Sequence, residues 1–353
     1  MSFADFPFSV AAKGRADRYF SQVGVVTMTH ICVTLAAAFC LALSSAQAAG
    51  LKYLHIPSGR NGPAIDVAVW SPCSKAPEAV QIRALTVQAV PNCPIAGERL
   101  PLVIISHGYG GWYLGHHDTA EALADSGFVV VAINHPHANH ADMSRANGLG
   151  ALIGRPVDIK RTLDFMLNNF PDSAKIDSQR IGFYGFSQGG YTGLVLVGAK
   201  PDFSKLGPRC SNPKAVGCPQ AKQSRPPQES PLPQTLMHDP RIRAMVVADP
   251  LSVVFQTVDS VEDVTIPLQL WGSELGGGHG AEPEDIAALV RVLPEKPDVR
   301  IVSKAVHMSF LTMCPKTRLS SEVCIDAPGF DRAAFHRTFN VEVVAFFRRN
   351  LGR

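Results

Sequence analysis

From residue 100 onward the chain alternates two kinds of segment, and this alternation restricts the fold more than any other feature. LPLVIISHG and FVVVAINHP are apolar runs rich in β-branched residues, with no polar residue at every second place. HHDTAEALADSG, between them, has helical spacing and is stopped by Gly127. The pattern continues with a helix over PVDIKRTLDFMLNNF, where Pro156 is expected early in the first turn and Ile159, Leu163 and Phe165 or Met166 recur at helical spacing. Strands are expected at RIGFYGF, IRAMVVAD, IPLQLWG and VRIVSKAVH, and helices at 283–292 and 332–349. Continuous apolar strands separated by helices imply a mostly parallel sheet covered on both faces, the α/β class. Residues 51–99, with Pro and Gly marking turns, read as an antiparallel pair of N-terminal strands leading into that sheet.

The start of the chain is of another kind. Lys13, Arg15 and Arg18 precede VGVVTMTHICVTLAAAFCLALSSAQAAG, an apolar run ending in an Ala-x-Ala site. Residues 1–48 therefore read as a secretory signal peptide cleaved after Ala48, with Met28 an alternative start, and with an uncleaved membrane anchor as the competing interpretation. Phe39 before Cys40 is too large for a lipobox. The mature chain, 49–353, is then expected in the periplasm or outside the cell, with no stable membrane anchor.

Of eight cysteines, Cys32 and Cys40 leave with the signal, so six remain: Cys73, Cys93, Cys210, Cys218, Cys314 and Cys324. An even number in an exported chain points to disulfides, and the grouping suggests three local loops, although six cysteines allow fifteen pairings. The 33 basic and 30 acidic residues give a formal charge of +3 without a basic block, which argues against nucleic acid as a partner. Sequence does not identify protein partners. A Pro-rich stretch at about 200–240 is long for a loop inside a compact domain; it reads as an insertion near the active site or as a surface decoration.

Chemistry enters at GFSQGG, where Gly185, Ser187 and Gly189 form G-x-S-x-G between a strand and a helix-compatible segment. A serine on such a turn has an unfavourable backbone conformation that exposes its hydroxyl, and glycines flank it because side chains there would clash. Ser187 is the candidate nucleophile; a serine capping the helix is the simpler alternative. Acyl transfer also needs N–H donors for an oxyanion. The backbone of Gln188, after the serine, and that of Tyr109, in the glycine loop SHGYGGW, are the candidates.

His307, after the last strand, is the candidate base, with His279 in GGGHG its competitor. Two carboxylates end suitable strands, Asp249 after IRAMVVA and Glu274 after IPLQLWGS, and composition does not separate them. A rival chemistry lies in HPHANHAD: His135, His137 and His140 form H-x-H-x-x-H, a spacing at which neutral imidazoles can hold zinc, although Asn139 stands where a metallo-β-lactamase-like motif has Asp. A catalytically inactive secreted binding protein is a third class. The serine route needs no cofactor.

The blocks ISHGYGGWYLGHHDTAEALADSGFVVVAINHPHANH, IGFYGFSQGG, DPRIRAMVVADPL and VHMSF, across most of residues 100–312, resemble the α/β-hydrolase superfamily. They look most like the branch of the secreted type II platelet-activating-factor acetylhydrolases and the proteins named predicted dienelactone hydrolases. That resemblance implies an α/β-hydrolase fold, Ser187 as nucleophile, His307 as base, Asp249 ahead of Glu274 as acid, and a small-molecule or lipid ester as substrate. True dienelactone hydrolases use cysteine, so serine here points away from that substrate, and the long insertion leaves the acyl pocket open.

Overall fold

The computed structural model describes residues 48–206, 238–315, 317 and 319–352. All of them belong to one unit, Ser44–Arg353. The expected signal segment up to residue 47, and most of the Pro-rich stretch with Cys210 and Cys218, lie outside the described residues.

Ten strands form one sheet. Six are parallel: β5 (Leu100–Ser106), β6 (Val129–Ile133), β7 (Ile176–Phe186), β8 (Ile242–Ala248), β9 (Leu268–Ser273) and β10 (Asp298–Val302). The apolar runs become strands because both sides of them are covered: every residue of β6 is buried. Neighbouring residues point to opposite faces. Ile104, Val131 and Phe183 pack with Ile159, Leu163, Leu194 and Leu289 on one side, while Ile105, Val130 and Tyr184 pack with Leu123, Phe339 and Phe347 on the other. The first set belongs with helices α2 (Leu149–Asn168), α3 (Gln188–Leu196) and α4 (Pro283–Val292), the second with α1 (His117–Asp125) and α5 (Arg332–Leu351).

Two expectations need correction. Pro156 lies inside α2, which starts seven residues earlier than Pro156 at Leu149, and not in its first turn. The glycines at 148, 150 and 154 suggest a loop, but burial of Leu152 and Arg155 against the sheet outweighs the weak propensity. The N-terminal region also holds more than an antiparallel pair. β1 (Ala48–Ile56) and β2 (Ile65–Cys73) pair antiparallel, and a second hairpin, β3 (Glu78–Ile82) with β4 (Leu85–Pro91), joins through a parallel β1–β4 contact. Disulfides Cys73–Cys93 and Cys314–Cys324 close two of the three suggested loops.

The strand order, β10-β9-β8-β7-β5-β6-β2-β1-β4-β3, places β5 between β6 and β7. The connections from β5 and β7 leave in opposite directions there, so their carboxyl ends flank a crevice that cannot be filled by the chain's own connections. The glycine loop follows β5 and Ser187 follows β7, so both candidate motifs face that crevice.

Candidate active site

Ser187 caps α3 with φ 55° and ψ −118°, a left-handed backbone that non-glycine residues rarely adopt. Its surroundings hold it there. Ser187 N donates to Ala248 O at 2.9 Å, and Leu251 N donates to Ser187 O at 3.0 Å, so the turn is stitched to the end of β8. The flanking glycines are steric necessities: a Cβ on Gly189 would lie 2.6 Å from the carbonyl carbon of Ser106, one on Gly185 2.7 Å from Gly190 N, and one on Gly190 2.7 Å from Pro250 Cβ.

Asp249 comes next after β8, also at positive φ, and is fully buried. Its Oδ2 lies 3.0 Å from His307 Nδ1 and accepts from Ser273 Oγ at 2.6 Å, while Oδ1 accepts from Ser273 N at 2.7 Å. Both of its carboxylate oxygens are therefore engaged, by the imidazole and by the end of β9. His307 opens a short 3₁₀ turn and is fixed by its own N–H to Gly276 O at 2.7 Å, by Phe186 with ring centroids 4.7 Å apart, and by Gly278, where a Cβ would come within 2.6 Å of His307 Cε1.

Glu274 does not join this group. Its exposed carboxylate accepts from Lys304 N at 2.7 Å and from Ser303 Oγ at 2.9 Å, and the Lys304 N–H, first among these partners, holds it below the usual carboxylate range. The reason is local: β9 ends at Ser273, and the next residue is drawn into the turn after β10. His279 is exposed on the cleft wall and, among the described residues, has no carboxylate partner.

Ser187, His307, Tyr109 and Gln188 line one cleft of about 890 Å³, more apolar than polar in its walls. In the glycine loop, Gly111 N donates to Gly108 O at 3.2 Å, and Gly110 takes φ 61°. Neither Tyr109 N–H nor Gln188 N–H is spent on a protein acceptor among the described residues. Such donors beside a serine can stabilise an oxyanion.

The three histidines of the zinc motif are dispersed. His135 is buried, with Nε2 2.9 Å from Ser106 Oγ and Nδ1 3.0 Å from Asp158 Oδ2. His137 pairs with Asp142 at 2.7 Å, and His140 donates its N–H to Gly111 O at 2.8 Å with its ring beside Trp112. Among the described residues no group of three or more His, Cys, Asp or Glu side chains is gathered in a way that could hold a metal ion. The H-x-H-x-x-H spacing fails because the segment is an irregular turn, with His137 at φ 59°.

Beneath the loop lies a polar network that motif reading misses. Arg155, fully buried, donates to the carbonyl of His107, to Ser106 Oγ at 3.3 Å and, through Nε, to Thr192 Oγ1 at 3.1 Å. His107 donates from Nδ1 to Gly108 O at 2.6 Å and accepts His135 N–H at Nε2 at 3.2 Å, a neutral ring that burial and then the Arg155 charge hold well below the ordinary imidazole value. Burial also pushes the Asp158 carboxyl up to about 7. The signal was available: Leu152, Arg155, Ile159 and Leu163 share the buried stripe of α2, and a charged residue on such a stripe needs a partner.

The BD-FAE family model matches residues 93–216. The ferulic acid esterase from Streptomyces cinnamoneus is similar in structure, with a TM-score of 0.59 and 20% sequence identity over 86% of this chain and 91% of that one. The hyperthermophilic esterase from the archaeon Pyrobaculum calidifontis is matched at TM-score 0.47 and 15% identity, covering 85% of each chain. No curated protein sequence matches the chain significantly. The first structural likeness, over nearly the full length of both chains, agrees with the sheet order and its two helical layers: the fold is that of the α/β-hydrolases.

Proposed function

We infer that this chain is a serine carboxylic ester hydrolase. The observation that carries the reading is the conjunction at one cleft of Ser187 on a left-handed strand-to-helix turn with the His307–Asp249 pair. The family match over residues 93–216 and the likeness to the Streptomyces cinnamoneus ferulic acid esterase support the same reaction class.

In the reaction, Ser187 Oγ attacks the ester carbonyl as His307 Nε2 takes its proton, and Asp249 holds the imidazole through Nδ1–H. The carbonyl oxygen becomes an oxyanion bound by the N–H groups of Tyr109 and Gln188. Collapse expels the alcohol, which receives the proton from His307. Water, with His307 again as base, then releases the acid and frees Ser187.

The apolar cleft suits esters with an extended or aromatic acyl group. The likeness to a ferulic acid esterase makes aromatic acyl esters one series to try, and the four blocks resembling the acetylhydrolases make short-acyl and lipid esters the other. Action outside the cytoplasm is supported by the leader sequence and by the two disulfides. Among the described residues no helix is long and apolar enough to cross a membrane.

The test is labelling with a fluorophosphonate, followed by peptide mass analysis, alongside turnover of p-nitrophenyl esters from acetate upward with and without EDTA. Label on Ser187, and turnover abolished by Ser187→Ala but indifferent to EDTA, is the expected result. Turnover that survives the mutation and is lost to EDTA refutes the serine route, and no turnover with any ester favours a binding protein.

A further inference from the structure

The far hairpin of the sheet reaches the cleft. β3 and β4 are joined by the two-residue turn Arg83–Ala84, closed by the Ile82–Leu85 pair, and both turn residues line the same cleft as Ser187. Arg83 takes φ 55°, a conformation usually left to Gly, Asn or Asp. The turn is braced: Gln81 Nε2 donates to Arg83 O at 2.7 Å, and Thr86 Oγ1 donates to Gln81 Oε1 at 2.9 Å. An unfavourable residue thus occupies a fixed position at the mouth of the cleft.

The Arg83 guanidinium lies 5.8 Å from the centre of the Trp112 ring, and Trp112 belongs to the glycine loop that carries Tyr109. Stacking on an aromatic face orients a guanidinium while leaving its edge N–H groups free to donate. Among the described residues Arg83 has no ion-pair partner. Nor, among them, does any Asp or Glu line the cleft, whereas Arg83 and Lys205 do. A cleft with cations at its rim and no carboxylate favours negative charge, because fields of one sign are focused between low-dielectric walls.

We propose that Arg83, held on Trp112, is an anion-binding subsite of the cleft, and that the ester hydrolysed at Ser187 carries a carboxylate or phosphate group away from the scissile bond. The apolar wall between the two points takes the intervening hydrocarbon. This rests on the serine esterase reading, and two kinds of measurement keep the two separate.

The first compares kcat/KM for anionic and neutral esters. Monophenyl glutarate against phenyl pentanoate puts the charge on the acyl side; 4-acetoxybenzoate against phenyl acetate puts it on the alcohol side. Arg83→Gln is expected to lower the anionic-to-neutral ratio about fivefold in one of the two pairs, the scale of an exposed ion pair. Raising salt from 0.1 M to 1 M should lower the same ratio in the wild type. Unchanged ratios in both pairs overturn the subsite. Turnover of the neutral esters by Ser187→Ala would instead refute the esterase reading.

The second needs no turnover. Trp70 and Trp271 are buried, so ligand-dependent fluorescence reports chiefly on Trp112. Titration with benzoate, phenyl phosphate and benzyl alcohol is expected to give saturable binding of one or both anions, weakened several-fold in Arg83→Gln, and to distinguish carboxylate from phosphate. Equal response to benzyl alcohol, or no effect of the mutation, overturns the proposal.

Discussion

Arg155 donates to the carbonyl of His107 and, through Nε at 3.1 Å, to Thr192 Oγ1, so one buried guanidinium ties the glycine loop to the helix that follows Ser187. Thr192 in turn donates to Gln188 O at 2.8 Å. The two segments that carry the proposed oxyanion donors are thus linked through a side chain that does not line the cleft, directly at His107 and by way of Thr192 to Gln188.

Arg155→Gln is therefore expected to reduce kcat by about 10–100-fold, approaching the loss of one oxyanion donor, with a smaller change in KM. Arg155→Lys should restore part of it. Circular dichroism and Tm check that the variants fold. A raised KM with unaltered kcat would contradict the positioning role.

Asp158 makes a prediction about pH. Burial raises its carboxyl to about 7 in the folded chain, against about 4 when unfolded. A raised folded-state value means that the folded chain keeps the extra proton. This group's contribution is thus complete below pH about 4 and is lost as pH rises through about 7. Asp158→Asn, which cannot ionise, should gain on the wild type in Tm between pH 5 and pH 8. A difference independent of pH would show that Asp158 is ionised throughout.

The acid can be decided by paired mutants. Asp249→Asn is expected to lower kcat by about 10³–10⁴-fold, because the amide cannot hold the imidazole in the required tautomer. Glu274→Gln, whose amide oxygen can still accept from Ser303 and Lys304 on the surface, should stay within about twofold. Steady-state kinetics with one p-nitrophenyl ester suffices, and a severe Glu274 defect beside a mild Asp249 defect would reverse the roles.

Cys314 and Cys324 both line the cleft, and their disulfide closes a loop with a sequence separation of 10. Replacing both by serine is expected to cost about 3 kcal/mol of stability on the chain-entropy scale and to raise KM more than it lowers kcat. Thermal melts and kinetics below the melting range measure the two effects independently.

The strand-to-helix turn at Ser187 and the buried strands are legible because their constraints are local. G-x-S-x-G needs its glycines within two residues of Ser187, and β-branched runs such as VVVAI announce strands buried on both faces. What escaped depends on contacts distant in sequence. Asp249 and Glu274 end adjacent strands and look equivalent until Ser273 and the turn at Lys304 draw them apart. The β3–β4 hairpin is hidden because most of its outward residues are polar, and of α2 only the first turns, from Leu149 to the residue before Pro156, are hidden, by the glycines at 150 and 154. His135 resembled a metal ligand by spacing, yet its partners, Ser106 and Asp158, come from a strand end and a helix.

The β3–β4 hairpin sits at the opposite edge of the sheet from β8, β9 and β10. It touches the cleft through its tip, Arg83, Ala84 and Leu85, and contributes nothing to the hydrogen bonds that fix Ser187, Asp249 and His307. On the subsite proposal, the hairpin's one link to the proposed machinery is the contact of Arg83 with Trp112 in the glycine loop. Rewriting the tip at Arg83–Ala84 is then expected to change which esters are accepted while the hydrogen bonds around Ser187, Asp249 and His307, across the sheet, stay as they are.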